Sequence, residues 1–205
     1  MPSSTFFRLP EEKRERLMKE VWKEFTRVSY AEASINRIIL GARIPRGSFY
    51  QYFEDKNDLF LYLLDIIREK FLELLDAVLK ETQGDLFAMP ESVFNAIITS
   101  EGRVAKRFEV GFALLALNVN MGVHQLFFDR AADDLKPEVL LTRIDTKNLR
   151  DLSPQFVGSV FSLLVASLAD AIARILSERG TREEEYEKLR LHVDIIRSGS
   201  VKGDT

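Results

Sequence analysis

Cysteine is absent from the 205 residues, histidine occurs twice and tryptophan once. Without cysteine there is no disulfide and no thiolate metal site. Two histidines, His124 and His192, with no thiol, no glycine-rich phosphate loop and no His-Glu-x-x-His, leave little material for acid–base, nucleophilic or metal chemistry. The expectation is a non-enzyme with no catalytic residue, no metal and no cofactor. No uncharged apolar run reaches roughly eighteen residues, so no membrane span and no membrane partner are expected. The opening stretch Met1–Arg8 lacks the basic-then-apolar pattern of a secretory signal, which makes a cytoplasmic protein the expectation. Glycine (10) and proline (6) are scarce and fall between periodic segments, so little interrupts helices.

What is present is apolar material at helical spacing, 46% of the chain, enough to fill a sizeable core. The net charge is −3, unevenly spread: residues 1–58 carry 11 Lys+Arg against 9 Asp+Glu, the remainder 18 against 23. A mildly basic head on an acidic body suits nucleic-acid binding confined to the head, and equally suits an ordinary solvated surface.

Periodicity predicts helices almost throughout, with no alternating strand and no Asn-Gly hairpin, so the fold class is all-α. Pro10, Glu11 and Glu12 open a helix carrying Leu17, Val21, Phe25 and Val28, with Met18 and Trp22 widening the stripe. Ser34 caps a short helix with Ile35, Ile38 and Ile39, ended by Gly41 to Pro45. A third runs from about Pro45 to Tyr52. Asp55, with Asp58 three residues on, caps a long helix that ends near Gly84. Helices follow over about 90–100, 104–119 and 123–135, with a short piece after Pro137. A long helix with Ser153 as cap reaches about Glu178, and a last one runs from about Thr181 to Arg197.

The second and third helices are joined by only Ala42-Arg43-Ile44, the spacing of a helix-turn-helix. Ile38, Ile39, Ile44 and Phe49 are the expected core that fixes their angle, leaving the third helix free to enter a major groove. Arg46 lies at its N-terminus, where a guanidinium fork can read guanine. Gly47 lets the backbone approach a phosphate, Ser48 offers a short donor, and Tyr50 and Tyr52 present hydroxyls to phosphate or thymine. Lys56 adds its charge to the N-terminal end of the long helix. The same residues also fit a plain helical corner with half-buried tyrosines.

The stretch Ser34 to Leu59, SINRIILGARIPRGSFYQYFEDKNDL, resembles the DNA-binding segment of the TetR-type transcriptional regulators. The match lies in Ala42, Ile44, Gly47, Ser48, Phe49 and Tyr50, then Tyr52, Phe53, Lys56 and Leu59, with Phe25 and Tyr30 at the family's aromatic positions. It departs at Arg43, where the turn usually has glycine, and at Pro45, where a serine cap is usual. An arginine held at positive φ would cost on the order of 1 kcal/mol; reaching a DNA phosphate would compensate. The resemblance implies a DNA-contacting set of Ser34, Arg43, Arg46, Gly47, Ser48, Tyr50, Tyr52 and Lys56, in a head of residues 1–54. It further implies a dimerising, ligand-responsive body of residues 55–205, with the helix 55–81 bridging the two. The partners implied are a palindromic double-stranded DNA operator, a second copy of the chain and a small-molecule ligand, the protein acting as a repressor that the ligand releases. A helical protein-binding adaptor is the alternative, and lack of duplex binding would single it out.

For the body, the helix after Ser153 is apolar nearly all round and studded with Gly, Ser and Ala, which suits a four-helix contact between two copies. The expected interface is Phe156, Val160, Phe161, Leu164, Leu168 and Ile172, with Tyr186, Leu189 and Val193 on the last helix; a buried central helix of a monomer fits the same pattern. A ligand pocket is expected around Phe94, Phe108, Phe112 and Phe128, with Asn118 and His124 as polar anchors, Asn120 and Phe127 lying close by. Such aromatics serve equally well as plain core.

Overall fold

The computed structural model describes residues 1–118 and 142–202, and the expected helix over 123–135, with His124 and Phe128, lies outside the described residues. All the described elements are helices: α1 Ser4–Phe7, α2 Glu11–Phe25, α3 Ile35–Ala42, α4 Arg46–Tyr52, α5 Lys56–Glu81, α6 Met89–Ile97, α7 Glu109–Leu117, α8 Pro154–Leu176 and α9 Arg182–Ser200.

Capping chemistry places most of the boundaries. Ser34, Asp55 and Ser153 each accept the backbone N–H three residues on, opening α3, α5 and α8. Thr181 and Glu184 cap each other's backbone in a reciprocal box at the start of α9. The α5 helix ends at Thr82, and Gly84 turns the chain at φ +80. Here glycine is required: a Cβ would lie 2.6 Å from the carbonyl oxygen of Arg143, on the segment that crosses over this turn. The α7 helix begins at Glu109 rather than at Val104, because Ile98 and Val104 pair across a turn with Gly102 at φ +74.

Sequence periodicity gave no sign of α1, a single turn too short to carry a pattern. Ser3 caps it, and the Ser3 N–H and hydroxyl donate to the carbonyls of Tyr52 and Gln51. Its anchor is Phe6, fully buried with its ring centroid 5.0 Å from Phe53 and 5.4 Å from Tyr62. Burial of a phenylalanine this complete stabilises by about 2–3 kcal/mol.

One hydrophobic core runs through head and body. Leu17, Val21 and Phe25 of α2 meet Ile38 and Ile39 of α3, Phe49 of α4 and the first turns of α5. Farther along α5, Leu74, Leu75 and Val78 belong to the same core as α6 and the hairpin of α8 and α9. With 26 residues, α5 spans about 39 Å and so reaches both regions. By length and mean hydropathy (1.9), α8 is apolar enough to cross a membrane, but Asp170 and Arg174 interrupt it and half of its most apolar window is buried inside the protein. It packs on α9, α6 and α7, which makes it the central helix of the body.

Candidate nucleic-acid interface and ligand cavity

The connection between α3 and α4 is held from below. Ile38, Ile39, Ala42 and Phe49 are buried and Ile44 is partly so. Arg16 on α2 donates its Nε–H to the Ala42 carbonyl at 2.9 Å, satisfying an end group of α3. Arg43 then turns the chain at φ 52, ψ 48, in the left-handed region. Pro45 sets φ −61 and α4 begins at the next residue. The turn therefore has the conformation for which glycine is suited, with an arginine in it.

A buried carboxylate locks α2 to α3. Glu24, 5% exposed, accepts the Ser34 N–H at 2.8 Å and the Arg37 Nε–H at 2.8 Å, and pairs with Arg27 at 2.9 Å. Burial alone would raise its pKa. The hydrogen bonds from Arg37, Arg27 and Ser34 overcome that and hold it at about 2, well below the ordinary 4.5.

Above this base, α4 turns Phe49 inward and presents Arg46, Gly47, Tyr50 and Gln51 to solvent. Arg46 donates from Nη1 to Asn36 Oδ1 at 2.9 Å and from Nη2 to the Tyr50 hydroxyl at 3.4 Å. Three side chains from two helices thus form one polar group on the outer face. A Cβ at Gly47 would meet nothing within 4 Å, so the space above the backbone is open to an outside partner. Ser34 and Ser48 are half-buried, and Ser34 is spent as the α3 cap.

Two of the expected DNA contacts stand differently. Tyr52 is half-buried, its ring 6.5 Å from Phe6, so it packs the α1 arm onto α4. The Lys56 ammonium donates to the carbonyls of Tyr30 (2.8 Å), Ala31 (3.3 Å) and Ala33 (3.3 Å), and sits 4.6 Å from the Tyr30 ring centroid. An ammonium has three donors, and all three are engaged. Lys56 therefore closes the turn between α2 and α3 instead of extending toward a phosphate. Asn36, Arg37 and Gln51 are exposed on α3 and α4 and were not in the expected set; for Arg37 and Gln51 the signal was a place two residues from the buried Ile39 and Phe49, on the opposite side of each helix.

The body holds an apolar cavity of about 240 Å³ between α5, α6, α7 and, unexpectedly, α2. Phe108 and Phe112 line it, as expected. Phe94 does not: it is buried elsewhere, against Tyr186 at 5.5 Å. Nor does Asn118, which is fully buried, donates to the Leu114 carbonyl at 2.8 Å, and accepts the Tyr30 N–H at 2.8 Å. It is a latch between α7 and the α2–α3 turn. The cavity also draws Trp22, Ile66, Lys70 and Arg107. Lys70 lies three and four residues beyond Ile67 and Ile66, a cation on the apolar side of α5, which was a legible signal.

The residues expected at an interface between copies fill the protomer's own core. Val160, Phe161, Leu164, Leu168 and Ile172 of α8, with Leu189 and Val193 of α9, are all nearly or fully buried within one chain. Phe156 is half-buried beneath Arg150, and the Tyr186 hydroxyl donates to Glu91 of α6 at 2.8 Å. The faces that α8 and α9 leave open carry Leu163, Leu191 and Ile195, 56%, 58% and 61% exposed, beside Ser159, Ser162 and Ala166.

Residues 17–63 match the family described as bacterial regulatory proteins, tetR family. Over 106 residues the chain is 28% identical to the transcriptional regulator AcuR of Cereibacter sphaeroides, a match covering 52% of this chain and 48% of that relative, so it spans about half of the relative's length. A TetR-like transcriptional regulator from Rhodococcus sp. RHA1 shares the fold at a TM-score of 0.58 and 17% identity, over 94% of this chain and all of that one. A TetR family regulator from Chloroflexus aurantiacus J-10-FL aligns over 99% of this chain and all of its own at 25% identity and a TM-score of 0.42. Residues 17–63 are thus similar to the tetR family of bacterial regulatory proteins, and the fold is one that a TetR-like transcriptional regulator shares.

Proposed function

We propose that the protein is a homodimeric repressor that grips a palindromic operator through α3 and α4 and lets go when a small molecule enters the α2–α5–α6–α7 cavity. The head is residues 1–54, the body residues 55–205, and α5 is common to both. The observation that carries the reading is the outer face of α4: Arg46, Tyr50 and, from α3, Asn36 form one exposed hydrogen-bonding group over a buried Phe49. Arg46 supplies the base-reading fork. Gly47, Tyr50, Gln51 and Arg43 stand where phosphates would pass, with the work of the expected Lys56 contact falling to them.

The second copy docks on the open faces of α8 and α9, through Leu163, Leu191 and Ile195, with the small residues Ser159, Ser162 and Ala166 allowing close approach. Symmetric heads then read symmetric half-sites spaced about 34–36 Å or a multiple.

Release follows from where the cavity lies. Trp22 belongs to α2 of the head, and Phe108 and Phe112 to α7, which ends on the Asn118 latch. A ligand that needs more room than the DNA-bound form gives pushes the head through Trp22 and pulls it through Asn118. Only a ligand that prefers the released form shifts the balance.

The test is selection of duplexes from a random pool, followed by affinity measurement across salt. An enriched inverted repeat, bound with a steep loss of affinity as salt rises, is the expected result. Failure to enrich any duplex would contradict the reading.

A further inference from the structure

We infer that the cavity takes a small amphipathic carboxylate, its apolar body against Trp22 and the phenylalanines and its charge met by Arg107 and Lys70. The inference rests on the reading of this cavity as the ligand site and names the chemistry of that ligand.

Three observations carry it. First, the walls are aromatic and aliphatic, with Trp22, Ile66, Phe71 and Phe112 among them, and among the described residues the two charged ones lining the space, Lys70 and Arg107, are both basic. Second, neither cation is in an ion pair with a described carboxylate, whereas Arg27, Arg37, Lys80, Arg174 and Lys188 all are. Arg107 lies with its guanidinium carbon 4.7 Å from the Phe108 ring centroid, held at the aromatic wall, where its planar fork can meet a carboxylate. These two stand in a stretch, residues 59–205, that carries 18 basic against 23 acidic residues, so the positive charge here runs against the balance of that stretch. Third, α7 starts at this wall without a side-chain cap, and Val110 and Gly111 of its first turn line the space, so backbone N–H groups at the helix start lie beside the two cations, with Glu109, the acid of that turn, outside the lining.

The volume limits the size. A cavity of about 240 Å³ lies at the small end of ligand sites, which run from roughly 300 Å³ upward, so the ligand is small. Gly111 sets one boundary: a Cβ there would lie 3.1 Å from Ile67, so the residue keeps the floor of the cavity as low as the helices allow. A six-carbon carboxylate matches.

Trp22 is the chain's single tryptophan, so its fluorescence reads the site directly. The full chain, without DNA, is titrated at neutral pH with hexanoate, hexanol and hexylamine. Hexanoate is expected to give a saturable change in Trp22 emission at a Kd at least tenfold below that of hexanol, with hexylamine weaker still. Arg107→Gln and Lys70→Gln, both at exposed positions, are expected to raise the hexanoate Kd about tenfold each and to leave that of hexanol unchanged. Arg107→Lys restores part of the loss. Hexanol or hexylamine binding as tightly as hexanoate, hexanoate affinity indifferent to both Gln variants, or no saturable response to hexanoate would overturn the inference. Operator binding is measured on the same preparations. Intact duplex binding with any of those results removes the carboxylate site alone, and lost duplex binding with a normal hexanoate response removes the regulator reading alone.

Discussion

Asn118 accepts the Tyr30 backbone N–H at 2.8 Å, joining the end of α7 to the turn between α2 and α3 across 88 residues of sequence. Tyr30 is also where Lys56 lands, its carbonyl taking the ammonium at 2.8 Å, and its ring packs 4.8 Å from Phe60. One turn thus receives bonds from the start of α5 and from the end of α7. Replacing Asn118 by Leu leaves the Tyr30 N–H buried without its acceptor, at a cost of about 1–3 kcal/mol. The expected outcome is a lowered melting temperature together with a weaker effect of ligand on operator release. Unchanged release at reduced stability would limit the latch to a structural role.

Glu24 makes the head's stability depend on pH. Its folded-state pKa of about 2 lies below the ordinary 4.5, so its stabilisation is complete above about pH 4.5 and is lost as pH falls toward 2. The shift corresponds to about 3 kcal/mol. Denaturant unfolding of the native chain and Glu24→Gln at pH 7 and pH 3 measures the difference. The variant is expected to be less stable at pH 7 and to close most of the gap at pH 3; a gap unchanged by pH would contradict this account of the carboxylate.

Arg43 holds φ 52 where a side chain is disfavoured. Arg43→Gly is expected to stabilise the apo-protein by about 1 kcal/mol, seen as a rise in melting temperature, and to weaken DNA binding on all sequences alike if the arginine meets a phosphate. A drop in melting temperature would show that the arginine has a stabilising contact in the folded head.

Much of this was readable in the sequence because caps and turns are local. Ser34, Asp55, Ser153 and Thr181 each carry their helix start in the residue and its third neighbour, and Phe49 stands four residues before the buried Phe53. What was not readable depends on which neighbour covers a face. Leu164 and Leu163 are equally apolar and adjacent, yet one is fully buried within the protomer and the other 56% exposed. Periodicity marks the stripe without saying what lies against it. Lys56 and Asn118 misled for the same reason: a polar side chain looks available for a partner until the fold brings three carbonyls or a backbone N–H to it.

The corrected surface gives its own prediction. Leu191→Glu and Ile195→Glu place charge on the open face of α9 and are expected to yield folded monomers with helical circular dichroism intact and operator affinity greatly reduced. Leu164→Glu, inside the core, is expected to unfold the chain, since an unpaired buried charge costs several kcal/mol. Sedimentation with circular dichroism separates the two outcomes; Leu191→Glu sedimenting as the native chain does would contradict the proposed interface.

The central claim, that the outer face of α4 reads DNA bases, is tested most directly by measuring the affinity of Arg46→Ala and Lys56→Met for a selected operator and for single-base variants of it. Arg46→Ala is expected to lose about 1–3 kcal/mol on the operator and to flatten the preference at one or two base pairs. Lys56→Met is expected to weaken every duplex in proportion to the fraction of head it unfolds, with the base preferences and the salt slope of the folded fraction unchanged. Identical losses on every sequence for Arg46→Ala, with no base pair relaxed, would contradict the account.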